Sequence, residues 1–171
     1  MKTATIRIDK NSIFEQIAKK TSYIGDRLLG QEDAYDRIAV TDADMEFFNE
    51  PFMLALTECA EMLSPYVADT SINTETRQDK AADYQEPEPE AVPFAYDIRL
   101  SLPDSFSLTT QNLVSNLIND YIVSRLIAEW MMAGNVESHS YWIERYASIR
   151  IQINRTMTAR TQPVRRGSGP F

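Results

Sequence analysis

Reactive and turn-forming residues are scarce in this chain: one cysteine, one histidine and five glycines among 171 residues. A lone Cys59 cannot close a disulfide within the chain, and Cys59 with His139 cannot build a zinc site of the usual ligands from a single copy. None of the glycines has the spacing of a phosphate loop or a dinucleotide fingerprint. Long apolar runs are also missing. The most apolar stretch, Leu113 to Met132, is broken by Asp120, Arg125 and Glu129, as suits a buried helix and not a bilayer span. The first residues lack the charged segment and apolar core of a signal peptide, so synthesis in a reducing, intracellular compartment is the expectation.

What is present belongs to a globular protein. With 43% hydrophobic and 25% charged residues the chain can bury a sizeable core, and its length suits one domain. A net charge of −8 argues against a surface that tracks nucleic acid throughout. The charge is uneven, however. Seven acids face only Arg77 and Lys80 between Asp69 and Pro93, whereas Arg145, Arg150, Arg155, Arg160, Arg165 and Arg166 face Glu144 alone from Ser138 onward. An acidic middle and a basic end can meet, within one chain or between two.

Along the chain, Thr3 to Asp9 alternates like a short strand with Ile6 and Ile8 inward. Ser12 and Glu15 have capping-box spacing, and a helix is predicted from Ser12 to Leu29 with Ile13, Ile17, Ile24 and Leu28 on one face and Gly30 as its stop. Gln31 to Val40 predicts a loop or a single turn. Thr41 and Asp42 offer cap oxygens to a second helix, Asp42 to Ser64, whose stripe is Phe48, Phe52, Leu56, Cys59, Leu63 and Tyr66. Pro51 interrupts it, so either the helix kinks or a short piece ends near Asn49 and the main helix restarts at Pro51. Residues 69–93, with Gln85-Glu86-Pro87-Glu88-Pro89-Glu90, predict an extended or disordered acidic linker: a surface insertion, or a binding motif for a basic partner.

The clearest strand follows, Phe94 to Leu102, with Phe94, Tyr96, Ile98, Leu100 and Leu102 alternating. It must pair, with the first strand or across subunits. Thr109 or Thr110 then caps a helical hairpin, Thr109 to Met157, broken at Ala133-Gly134-Asn135. Leu113, Leu117, Tyr121, Ile127 and Trp130, with Val114, Ile118 and Ile122, form the apolar face of its first arm; Trp142, Tyr146, Ile149 and Ile153 form that of the second. Ile149 to Ile153 also alternates like a strand, but no turn residue separates it from the preceding helix, and a helix is predicted. Residues 161–171 predict a flexible basic tail. The fold expected is mainly α: one domain over residues 1–160, a four-helix cluster with a small two-stranded β element and extended termini.

Chemistry-bearing candidates have plainer readings beside them. His139 lacks a nucleophile and an orienting acid in sequence and is read as a surface or capping residue. Cys59 sits on an apolar stripe flanked by Glu58 and Glu61, an environment for a core residue and not for a thiolate. Asp42, Asp44 and Glu46 alternate as in a calcium loop but lack its glycine and closing glutamate, which leaves helix-start acids. The arginines at 145, 150, 155, 160 and 165 recur every five residues, so on a helix they spiral and form no single stripe. They are solubilising residues, or else Arg155, Arg160, Arg165 and Arg166 with Phe171 form an arm for an acidic neighbour or DNA. With no convergent polar site legible, no enzyme activity and no cofactor are expected.

The acidic helix start Thr41-Asp42-Ala43-Asp44, the apolar helices, the β element between them and the arginine-rich C-terminal stretch resemble, in overall pattern, the small helical head-tail connector or adaptor proteins of tailed bacteriophages. The resemblance carries no specific motif, so no residue role is transferred. It implies a non-enzymatic virion protein of a phage or prophage, made in the bacterial cytoplasm, that assembles as a homo-oligomeric ring on portal or tail proteins. Strand residues Phe94, Tyr96 and Ile98 would then join subunits, and the arm would contact protein or DNA. The alternative is a cytoplasmic helical adaptor that binds other proteins through its acidic linker and basic tail; neither reading involves a membrane.

Overall fold

A computed structural model of the chain describes residues 1–27, 38–68, 73–75, 95–104, 106–134 and 136–158. Strand β1, Lys2–Asp9, leads without a loop into helix α1, Lys10–Arg27. The cap is Asp9: its Oδ1 accepts from the N–H groups of Asn11 at 2.9 Å and Ser12 at 3.3 Å. Those are two of the orphan donors of a first helical turn. Helix α1 therefore starts before Ser12, and the expected Ser12/Glu15 box is displaced by the last strand residue. Ile13, Phe14, Ile17 and Thr21 are its buried face. Leu28 and Gly30 lie outside the described residues.

Residues 38–40 are buried and pinned from two sides. The Thr21 hydroxyl donates to the Ile17 carbonyl at 2.9 Å and accepts from the Val40 N–H at 3.1 Å, while Trp130 Nε1 donates to the Ile38 carbonyl at 2.9 Å. At the next turn the Asp44 carboxylate accepts from Thr41 N and Oγ1 at 2.9 and 2.7 Å, which gives the acids at 42–46 a helix-start role. A 3-10 segment, Asp42–Phe48, precedes helix α2, Asn49–Met62. The second of the two expected arrangements therefore holds, with the break at Phe48–Asn49: a short piece ends there and the main helix begins two residues before Pro51, which falls in its first turn, where its missing N–H costs nothing. Phe48, Phe52, Leu56, Cys59 and Leu63 are buried as the stripe predicts.

Strand β2, Asn73–Glu75, and strand β3, Ala95–Leu102, complete a sheet of order β1-β3-β2, antiparallel throughout. The long β1–β3 pair is the β element expected from sequence, in register from Lys2 opposite Leu102 to Asp9 opposite Ala95. Ala4, Ile6 and Ile8 sit across from Leu100, Ile98 and Tyr96 on one buried face. The third strand, inside the stretch read as linker, was not foreseen. Three residues paired only at one end of β3 carry no periodicity that a sequence could display.

Helix α3, Leu108–Gly134, and helix α4, Val136–Thr158, form the hairpin. Its cap is Ser107, whose Oγ accepts from the Thr110 N–H at 3.3 Å, and not Thr109 or Thr110. Four consecutive residues of α3, Tyr121 to Ser124, are buried, so its middle is enclosed on all sides, as a helix apolar all round must be. The enclosure comes from α1, α2 and α4, with β1 beside it. Leu113, in contrast, is 48% exposed, since in the first turns only the face of Thr110, Val114 and Ile118 is buried. One apolar cluster runs from the sheet through all four helices, which makes the molecule mainly α with a small β element. No helix among the described residues is long and apolar enough to cross a membrane.

Candidate functional site: a cationic and aromatic groove

Of the residues expected to mediate contacts, Tyr96 and Ile98 are buried in the core. Strand β3 is the central strand, with β1 on one edge and β2 on the other, and the β2 edge continues as Val67 bridging Leu100 and the Ala68 N–H donating to the Arg99 carbonyl at 3.0 Å. Along these residues β3 offers no free edge to a second subunit. Arg155 is exposed near the end of α4. Phe94, Arg160, Arg165, Arg166 and Phe171 lie outside the described residues. The five-residue spacing of arginines does diverge on the helix: Arg145 is half-buried, whereas Arg150 and Arg155 are exposed.

A feature the sequence did not reveal lies between α1 and α4. Lys19, Lys20, Tyr23 and Ile24 face Ser138, Tyr141, Trp142 and Arg145 across a groove of about 610 Å³. Each set shares one helix face, because steps of three, four and seven residues return to the same side. The volume lies within the range of ordinary ligand sites. Trp142 is buried, with Lys20 Nζ 6.0 Å and Arg145 Cζ 5.7 Å from its ring centroid, close enough for cation–π attraction. Tyr23 and Tyr141 are 60% and 55% exposed, and Tyr141 meets Trp142 edge to face at 5.4 Å.

Among the described residues the groove's charge is mainly positive. Asp120 of α3 accepts from Lys20 Nζ at 3.0 Å and from Arg145 Nη2 at 2.9 Å, and Arg145 Nε donates to Ser124 Oγ at 3.3 Å. Burial disfavours the charged carboxylate, but the hydrogen bonds and charges of Lys20 and Arg145 together outweigh it and hold Asp120 below its ordinary pKa. Two cations therefore share one anion. Lys19 has Glu15 at 4.0 Å, an exposed pair one helical turn apart, which at such exposure is worth little. Among the described residues the lining contains three cations and no carboxylate, on a chain whose net charge is −8.

A second polar cluster is structural. Tyr121 Oη donates to Glu58 Oε2 at 2.5 Å, Arg125 Nη1 donates to Glu129 Oε1 at 2.6 Å, and the Arg125 guanidinium lies 5.7 Å from the Tyr146 ring centroid. Burial, with the Glu58 hydrogen bond and charge, pushes the Tyr121 hydroxyl well above its ordinary pKa. Cys59 is fully buried, and burial followed by the Glu58 charge keeps its thiol protonated. His139 Nδ1 donates to the Ala128 carbonyl at 2.9 Å and so ties the two arms of the hairpin. Tyr121, Arg125 and His139 each hold one element to another, and Cys59 is a core residue.

Two of the lining residues, Trp142 and Ile24, already stood on apolar stripes in the sequence. The convergence of Lys19 and Lys20 with Arg145 was not visible there, because residues more than a hundred positions apart are brought together only by packing. Compared with protein-family models, curated proteins and solved structures, the chain matches none.

Proposed function

We propose that the chain is a non-enzymatic assembly protein of a phage or prophage virion, a head-tail connector or tail-completion component that works as a homo-oligomer. The observation that carries this reading is the geometry of the hairpin. Helix α4 spans 23 residues, about 35 Å of rigid rod, packed along α3 and fastened near its end by the Tyr66 hydroxyl, which donates to the Met157 carbonyl at 3.2 Å. Arg155 is exposed on its last turn, and the arginine-rich residues 160–171 follow directly. A rigid support that ends in a basic segment suits docking on a portal, on a tail protein or on DNA. The titratable residues support a role without catalysis: Cys59 and Tyr121 are held protonated, and His139 is committed to a carbonyl.

Since β3 is enclosed, subunits in this reading join through other surfaces, and the exposed Phe47, Met53 and Leu54 on the 3-10 segment and α2 supply apolar area for that purpose. The test is native mass measurement of the full chain and of residues 1–158, each with and without a purified portal. Oligomers of the full chain that bind the portal, with binding lost on truncation, are the expected result. A strictly monomeric chain at high concentration that ignores the portal overturns it. The groove favours a second reading, a helical adaptor that binds a protein segment of complementary charge.

A further inference from the structure

We propose that the groove between α1 and α4 is a peptide-docking site whose occupant is the acidic, proline-punctuated segment Glu86-Pro87-Glu88-Pro89-Glu90 of the same chain. The inference holds for either function above, because it rests on the groove's own chemistry. Three observations select this occupant.

The first is charge. Among the described residues the groove's cations outnumber their carboxylate partners, with Lys20 and Arg145 sharing Asp120 and Lys19 paired with the exposed Glu15 at 4.0 Å. The segment places three carboxylates at alternate positions with no cation among them. The second is shape and polarity. Proline-rich segments prefer an extended left-handed helix with little entropy left to lose, and they dock between aromatic rings. Tyr23, Tyr141 and Trp142 line the groove with such rings beside the cations. In that three-residue-per-turn helix Glu86 and Pro89 share one face and Pro87 and Glu90 another, so a carboxylate can reach a groove cation while a proline of the same face packs on an aromatic ring.

The third is reach. Ala95, the first residue of β3, pairs with Asp9, the residue before α1, and also with Glu75, the last residue of β2. Both ends of the stretch 76–94 are therefore tethered close to the start of α1. Lys19 lies ten positions beyond Asp9 and Ile24 fifteen, about 15 and 22 Å along a helix. Glu90 precedes Ala95 by five positions and Glu86 by nine, about 17 and 30 Å of extended chain. On the other side, ten positions separate Glu75 from Gln85, about 33 Å. The segment can lie along the groove without strain from either tether.

Zero-length carbodiimide coupling, which joins an amine directly to a carboxyl in contact with it, tests the proposal on the full chain. A mixture of isotope-labelled and unlabelled copies separates links within a chain from links between chains. Expected are links from Lys19 or Lys20 to Glu86, Glu88 or Glu90 within single chains, reduced about fivefold in roughly 0.5 M sodium chloride, where charges are screened beyond about 4 Å. The triple substitution Glu86→Gln, Glu88→Gln, Glu90→Gln should change the indole N–H resonance of Trp142 and leave that of Trp130 in place. Lys19→Glu, at an exposed position, should produce the same Trp142 change, and Glu88→Lys in that background should reverse it. No such links at low salt, links only between copies, or a Trp142 resonance indifferent to both variants overturns the proposal.

Discussion

Asp120 is the side chain on which three helices converge: it stands on α3, accepts from Lys20 of α1 and accepts from Arg145 of α4. Its pKa lies below the ordinary carboxylate value, so the folded state binds a proton there less readily than the unfolded chain. The stability it contributes is therefore complete above the unfolded pKa and is lost as pH falls through the lower folded value. With 35% of the side chain exposed, solvent screening keeps the contribution near about 1 kcal/mol. Asp120→Asn should lower stability by roughly that amount in urea titrations near pH 7. The gap to the parent chain should close under strong acid, and a gap that widens toward acid would exclude this origin. Thr21 makes a connection without charge, its single hydroxyl serving α1 and the segment at Val40 together.

At the scale of elements, the run Ile149-Arg150-Ile151-Gln152-Ile153 shows how tertiary context settles a local ambiguity. In a strand all three isoleucines would share one face; in a helix Ile149 and Ile153 share a face and Ile151 points elsewhere. Ile149 and Ile153 are buried while Ile151 is 55% exposed, which is the helical outcome. Ile153→Ala should cost about 2–5 kcal/mol through lost burial and the cavity left behind. Ile151→Glu should stay within about 0.5 kcal/mol of the parent. Thermal or urea denaturation of the two variants distinguishes them, and equal costs would mean that α4 does not pack as described. The strands follow the same logic of faces. Burial of Tyr96, Ile98 and Leu100 against Ile8, Ile6 and Ala4 makes β3 an internal support and leaves it no free edge along the described residues.

At the scale of the whole molecule, one apolar cluster links the sheet to every helix. Trp130 and Trp142 report from different parts of it: Trp130 beside Phe47 and Phe48, and Trp142 beside Lys20 and Arg145. A single core predicts that tryptophan emission and far-ultraviolet circular dichroism follow one coincident unfolding transition. Separate midpoints would mean that the hairpin and the sheet unfold independently.

Periodicity alone was enough for the mainly α class, the stripes of α1 and α2, the hairpin and the β1–β3 pair, because each rests on apolar residues whose spacing is set by local geometry. Helix starts were less legible: Asp9 and Ser107 act as caps in place of Ser12 and Thr109 or Thr110, since neighbouring oxygens compete and the approach direction of the chain selects among them. Packing decided which of the two arrangements at Pro51 holds, that a third strand joins the sheet, and that β3 is enclosed. Packing also made the groove. Lys19, Lys20 and Arg145 are ordinary surface cations in the sequence, and only the approach of α1 to α4, with Asp120 between them, concentrates their charge beside aromatic rings.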